Sequence, residues 1–326
     1  MRRERLDTIL VTGSPRSGTT AVGDILASMD GAEYLYEPMN ATTGDRAIHR
    51  FFEFPSGVDS DNAAFDSFVD RVRTLDLHLR PGVSHRDTLA MRMIKTLTGG
   101  RSRVSLLRCQ LSPNMRTLIW KDPFASFAAV DAALRHKIPV LVTYRSIHEI
   151  AGSFKRLGWG FDLHNLHERL SAAGRIPAIS KRLLSRGDGA TNGAGLWALI
   201  YSELARAAQA HPDRIRIVNI DEVIRDPFQT YGGILNWLGR PLSQSVLHQI
   251  SAVYGKTAPS ARAMPSDRAH DRNRDLTKVS SYWRAMLSEE ELHGVDAIAA
   301  AVEVQSIGRT FAADGMSQAV TAAAPA

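Results

Sequence analysis

The chain carries one cysteine, Cys109, among its 326 residues. An internal disulfide is thereby excluded, and so is any metal site built on paired thiolates. Long apolar runs are missing too. Nothing approaches the roughly 18 residues of a membrane span, and the opening MRRERLDTILVTGS reaches glycine and serine too soon to hold a signal peptide's apolar region. A cytoplasmic chain with no transmembrane segment is expected. Aromatic residues make up only 7% and do not interleave with a basic face. No nucleic acid is therefore expected as a partner, and a non-catalytic binder of an anionic surface has only charge in its favour.

What the chain does have is apolar bulk and an excess of positive charge. With 44% hydrophobic and 23% charged residues it can bury the core of one large domain. The formal net charge of +6, from 40 Lys and Arg against 34 Asp and Glu, favours anionic ligands without naming one. Five short, β-branched or aromatic segments recur: TILVTG (8–13), AEYLYE (32–37), TLIWKD (117–122), IPVLVTYR (138–145) and RIRIVNI (214–220). Helical pattern follows most of them. This order predicts an α/β fold, a parallel sheet flanked by helices on both faces, with ligands bound beyond the carboxyl ends of the strands.

Other stretches break the alternation. Residues 41–110 contain a helical segment at AAFDSFVDRVRTL and several polar turns, and with 155–195 they read as helical insertions in a single domain over 1–311. RGDGATNGAG (186–195) has the composition of a flexible connection. Residues 256–278 lack apolar periodicity and read as a functional loop or a disordered one, and 312–326 as a disordered tail.

The sharpest local signal is VTGSPRSGTT, 11–20, between the first strand and the helical run AVGDILASM. Gly13 and Gly18 have the spacing of a Walker loop, but Thr19 stands where that loop has its lysine. Backbone N–H groups of such a loop, with the helix N-terminus and the hydroxyls of Thr19 and Thr20, make an anion site. Without the lysine that neutralises β- and γ-phosphates, a triphosphate donor fits poorly. Arg16 offers a fork of donors suited to a phosphate or sulfonate of lower charge.

The loop GSPRSGTT resembles the 5′-phosphosulfate loop of the sulfotransferases that use 3′-phosphoadenosine 5′-phosphosulfate (PAPS), in the arginine-bearing form of carbohydrate and many bacterial members. That resemblance implies a P-loop NTPase-like fold, PAPS as sulfonate donor with no metal, and Arg16, Ser17, Gly18, Thr19 and Thr20 around the 5′-phosphosulfate. YRSIHEIAGSFKRLGW is similar to the family's 3′-phosphate motif, with Arg145 ending a strand and Ser153 in the next helix. Further on, VNIDEVIRDPFQTYGGILNWLGRPL is similar to a late strand-loop-helix, in which Asp226 and Pro227 read as structural. SSYWRAMLSEEE looks like the closing segment, where Trp283 and Arg284 follow a basic loop that carries Lys256, Arg262, Arg268, Arg272, Arg274 and Lys278. Among these, Arg274 and Arg284 are the expected nucleotide contacts.

Sulfonate transfer needs a base for the acceptor hydroxyl and positive charge at the leaving oxygen. Arg16 is the candidate for the charge. Glu37, in YLYEPMN at a strand's carboxyl end, is the candidate base, and Pro38 turns the chain there. Lys121, in WKDP, faces the same opening as a further contact to sulfonate or acceptor, or as the partner of an acid such as Glu37. His49, His85 and His148 are alternative bases. An atypical P-loop kinase or nucleotide hydrolase is the competing reading, with Asp122 or Asp221 as the magnesium-binding aspartate. The expected acceptor is a small-molecule, glycan or lipid hydroxyl, of a carbohydrate or glycolipid for preference; Phe51, Phe52, Phe54, Trp159 and Phe161 either stack on it or pack in the core.

Overall fold

A computed structural model describes residues 4–57, 59–82, 100–175, 179–184, 189–255 and 281–302. Strands β1 (Asp7–Gly13), β2 (Ala32–Tyr36), β3 (Thr117–Lys121), β4 (Val140–Tyr144) and β5 (Ile215–Asn219) form one sheet in the order β2-β3-β1-β4-β5. Every pairing is parallel. The helices are α1 (Thr19–Leu26), α2 (Asp59–Thr74), α3 (Gly100–Leu111), α4 (Ala129–Arg135), α5 (Ile147–Leu157), α6 (Leu163–Ala172) and α7 (Ala190–Ala210). They continue with α8 (Ile220–Arg225), α9 (Pro227–Trp237), α10 (Gln244–Tyr254), α11 (Trp283–Met286) and α12 (Glu289–Ala300). All five expected strands form, each within two residues of its expected start, and the α/β class is the one expected.

Alternation along the strands divides the core in two. Ile9, Val11, Ile119 and Leu141 face one side, where α1, α8, α9 and α10 supply Val22, Ile25, Val223, Ile234 and Ile250. Leu10, Leu118, Trp120, Val140 and Val142 face the other, against α2, α4, α5 and α7. Both faces are covered, which explains why VLVTY and TLIWK read as continuous apolar runs. Asp226 and Pro227 are structural as expected: the aspartate caps α9, accepting from Gln229 N, and the proline opens its first turn.

Along the sheet's edge α3 takes the place of a further strand. Ser105 Oγ accepts the Tyr36 N–H at 3.0 Å, Cys109 Sγ donates to the Tyr34 carbonyl at 3.6 Å, and Arg108 pairs with Glu33 at 2.9 Å. The flexible connection expected over 186–195 needs correction for the part described. Residues 190–195 are the buried start of α7. Its glycines serve packing there: a Cβ on Gly193 would lie 2.8 Å from Phe154. All of 256–278, with the tail from 312, lies outside the described residues.

The turn from β1 into α1 depends on the missing side chain of Gly13. Its φ is +138°, and a Cβ would lie 2.4 Å from the Thr143 carbonyl oxygen. Gly13→Ala is expected to cost on the order of 3 kcal/mol in chemical denaturation, from strain and overlap together. Gly57→Ala, at φ +86° in open space, is the control and should cost about 1 kcal/mol.

Candidate functional site

Because the sheet is parallel, the carboxyl ends of β1, β3, β2 and β4 open on one crevice. Gly13 stands level with Thr143 across the β1–β4 pair, and Lys121 stands level with Val11 and Tyr36. The β1–α1 loop is held from below. Ser17 Oγ meets Thr143 Oγ1 at 2.6 Å, Ser17 N donates to Ser14 O at 3.0 Å, and Tyr201 donates to Thr143 O at 2.6 Å while accepting the Ser14 N–H at 3.3 Å. Ser17 is thus fully buried and braces the loop with its hydroxyl.

Arg16 projects from the crest of that loop with a left-handed φ of 77°, a conformation that non-glycine residues hold only where the surroundings impose it. Its Nε donates to Ser153 Oγ at 3.1 Å, and its guanidinium lies 6.0 Å from the centre of the Trp159 ring. Gly18, at φ 98°, precedes α1, whose first turn has no side-chain cap. The amides of that turn, at Thr19 and Thr20, are the donors an anion at the loop would meet.

Arg145 and Ser153 each have a partner of their own. Arg145 is 8% exposed and pairs with Glu149, itself 5% exposed. The second oxygen of Glu149 accepts from Ser146 N at 3.0 Å and Ser146 Oγ at 2.9 Å, closing the capping box of α5. Glu149 was not among the expected site residues, although S-x-x-E is legible in SIHE. One turn beyond Glu149, Ser153 binds Arg16 from β1's loop, so α5 touches both candidate anion sites.

The closing segment docks on the same helix. Trp283 stacks on His148 with ring centres 4.7 Å apart, its backbone lies over Gly152, and the exposed Arg284 sits 5.4 Å from the Trp283 ring. His148 also bonds Asp296 at 2.8 Å. His49 is exposed. Arg274 and His85 lie outside the described residues.

Opposite the loop, Glu37 follows β2 at a left-handed φ of 48° and is 7% exposed. Its Oε1 accepts from Lys121 Nζ at 2.5 Å and its Oε2 from Asn40 Nδ2 at 2.9 Å. Burial opposes the charge on Glu37, but the Lys121 ammonium, with donors from Asn40 and Tyr36, outweighs it and holds the carboxyl below the ordinary glutamate range. Lys121 is 2% exposed and also lies 4.2 Å from the Tyr36 ring centre.

Asp122 is fully buried beneath this pair. Its oxygens accept from Met39 N at 2.5 Å and Phe124 N at 3.0 Å, tying the turn after Glu37 to the end of β3. The aromatics expected near the acceptor pack largely on one another: Phe52 is 1% exposed, and Phe51, Phe124 and Phe161 meet it or each other at 4.9 to 6.3 Å. Phe51, Phe54, Trp159 and Phe161 remain half-buried.

No protein-family model and no curated protein matches this chain. Solved structures do. The sulfotransferase domain from the Synechococcus PCC 7002 olefin synthase shares 15% identity at a TM-score of 0.39, covering 92% of this chain and 97% of that one. The sulfotransferase domain from the curacin biosynthetic pathway shares 11% at a TM-score of 0.42, covering 91% and 98%. Sulfotransferase STF9 from Mycobacterium avium shares 14% at 0.39, covering 90% and 76%. All three are sulfotransferases. No described helix is long and apolar enough to cross a membrane.

The carboxyl of Asp122 yields a pH test. Burial first, and the charge of Glu37 second, push it from the ordinary 3.8 up to about 7. The folded state then keeps a proton that the unfolded chain releases, so this group's contribution is full below about pH 4 and is lost as pH rises towards 7. Glu37 acts in the opposite sense: its lowered value gives stability that is present above the ordinary 4.5 and lost as pH falls through the folded value. Unfolding free energy measured across pH 4 to 7 should therefore fall more steeply in the wild type than in Asp122→Asn. Parallel slopes would show that Asp122 does not titrate in that window.

Proposed function

We propose that this chain is a sulfotransferase (of EC 2.8.2 type) that moves a sulfonate from PAPS to an acceptor hydroxyl, of a carbohydrate or glycolipid for preference, by in-line displacement. The observation that carries this reading is the bond from Arg16 to Ser153, which joins an arginine-bearing, lysine-free glycine loop to the helix that Arg145 leads into. Two candidate anion-binding residues, 137 apart in sequence and on the segments that follow the neighbouring strands β1 and β4, are thereby neighbours in space.

Arg16 and the first-turn amides at Thr19 and Thr20 would hold the phosphosulfate end of the donor. Arg145 and Ser153 would hold the 3′-phosphate, with Arg284 close by on the stacked Trp283. The donor brings a sulfonate already bonded to a good phosphate leaving group. The chain's part is charge and proton management: as the acceptor oxygen bonds to sulfur, Glu37 takes its proton, and Arg16 balances the negative charge that passes to the departing phosphate. Lys121 keeps Glu37 ionised and puts a cation beside the crevice. Glu37 is a weak base in this setting, so its contribution comes from position and from a proton that leaves late.

The first test needs no acceptor. In calorimetry the protein is expected to bind 3′-phosphoadenosine 5′-phosphate far more tightly than ATP, without magnesium, and Arg145→Ala should weaken that binding about tenfold or more while leaving adenosine 5′-phosphosulfate nearly unaffected. Tighter, magnesium-dependent ATP binding would put the kinase reading first.

A second test addresses the base. Once an acceptor has been found by its mass gain in extracts, Glu37→Gln should lower transfer by roughly 10² to 10⁴ with donor affinity barely changed. The wild-type acid limb should lie below the ordinary 4.5 and vanish in the variant. Near-normal turnover of Glu37→Gln would remove Glu37 from the mechanism.

A further inference from the structure

Asn40 closes the segment YLYEPMN without a role assigned from the sequence, yet it holds Oε2 of Glu37 while Lys121 holds Oε1. Glu37 opens a tight turn in which Asn40 N donates to Glu37 O at 3.1 Å, and the side chains repeat the link through Nδ2 and Oε2 at 2.9 Å. The Asn40 amide has one orientation available. Its Oδ1 accepts from Thr42 N at 3.0 Å, Thr42 Oγ1 at 2.8 Å and Thr43 N at 3.3 Å. Turned over, it would set its NH₂ group against two backbone N–H donors and its oxygen against a carboxylate.

The segment around it is closed on itself. Gly44 N donates to Asn40 O at 2.7 Å and Asp45 N to Pro38 O at 2.8 Å. The buried Asp45 is held in turn by Arg71 at 3.0 Å and His78 N at 2.7 Å. Asn40 is thus a fixed donor and not a surface side chain that happens to lie near.

We infer that Asn40 is a positioning residue for the proton-accepting carboxylate: it fixes Oε2 of Glu37 while Lys121 fixes Oε1, so the direction from which a hydroxyl can deliver its proton is set before the acceptor arrives. The inference rests on Glu37 being the base. A carboxylate offers about four acceptor sites. Lys121 and Asn40 each take one of them, one on each oxygen, which narrows the directions left to an acceptor. The ionisable groups around this carboxylate on the packed strands are Tyr34 and Tyr36 on β2 and Lys121 with Asp122 at the end of β3.

Asn40→Asp tests the idea because an aspartate oxygen still accepts from Thr42 and Thr43, so the loop keeps its bonds, while the donor to Glu37 becomes a like charge. The readouts are a carboxyl NMR titration of protein labelled at its glutamate side chains, with Glu37→Gln identifying the signal, and the rate of sulfonate transfer from PAPS to water. Asn40→Asp is expected to move the Glu37 titration up by about one pH unit or more and to slow transfer at least tenfold, with donor affinity unchanged. Asn40→Ala should show a smaller upward shift. An unmoved titration in both variants would overturn the inference, as would a loss of transfer matched by a loss of donor binding. Failure of the underlying reading would look different: Glu37→Gln would retain turnover, or the wild type would not bind the bisphosphorylated nucleotide, whatever Asn40 does to the titration.

Discussion

Thr143 fastens the β1–α1 loop to the sheet through three groups at once. Its hydroxyl bridges Ser17 Oγ and the Thr12 carbonyl, its own carbonyl accepts from Tyr201, and its backbone fills the space that a side chain on Gly13 would need. The loop is a rigid cap pressed onto β4. Arg16 can hold a left-handed backbone on top of it because everything beneath is bonded. Arg145 follows Thr143 by two residues on the same strand end, so the spacing between the two candidate anion groups is set by strand geometry and owes little to loop behaviour.

Electrostatically the crevice is quieter than its basic residues suggest. Lys121 is matched by Glu37 and Arg145 by Glu149, and both pairs are nearly out of solvent. Buried pairs of this kind contribute little net stability, since desolvation offsets most of the attraction. Their effect is on geometry: each cation is held in one place by a carboxylate that is itself anchored, Glu37 by Asn40 and Glu149 by the α5 cap. Arg16 reaches across to a neutral hydroxyl, that of Ser153, and so ties the loop to α5.

Much of this could be read from the chain, and the remainder could not for definite reasons. The strands were legible because both sheet faces are covered, which makes each strand a short apolar run. The β1–α1 turn was legible because so tight a strand-to-helix turn needs glycines, here Gly13 and Gly18 at positive φ. Glu149 had a visible signal, the capping box, but that pattern is usually only structural. Asn40 had a weaker one, since N-A-T-T is a turn signature that says nothing about what its amide faces. The Arg16 to Ser153 contact had none: it joins side chains whose neighbourhood exists only after β4 lies beside β1. The glycines of 189–195 misled because small residues mark both slack segments and tight helix crossings, and here Gly193 and Gly195 let α7 approach Phe154 and Leu163.

The way α3 lies on β2 has a meaning for the chain's life in a crowded solution. An outer strand ordinarily offers a row of open backbone groups on which another chain could add itself, the first step towards aggregates. Here a serine hydroxyl and a cysteine thiol from one helix take up Tyr36 N and Tyr34 O, and the Arg108–Glu33 pair sets charge beside them. That border of the molecule is sealed by side chains in place of a strand, and Cys109 owes its buried place there to sealing, not to redox chemistry.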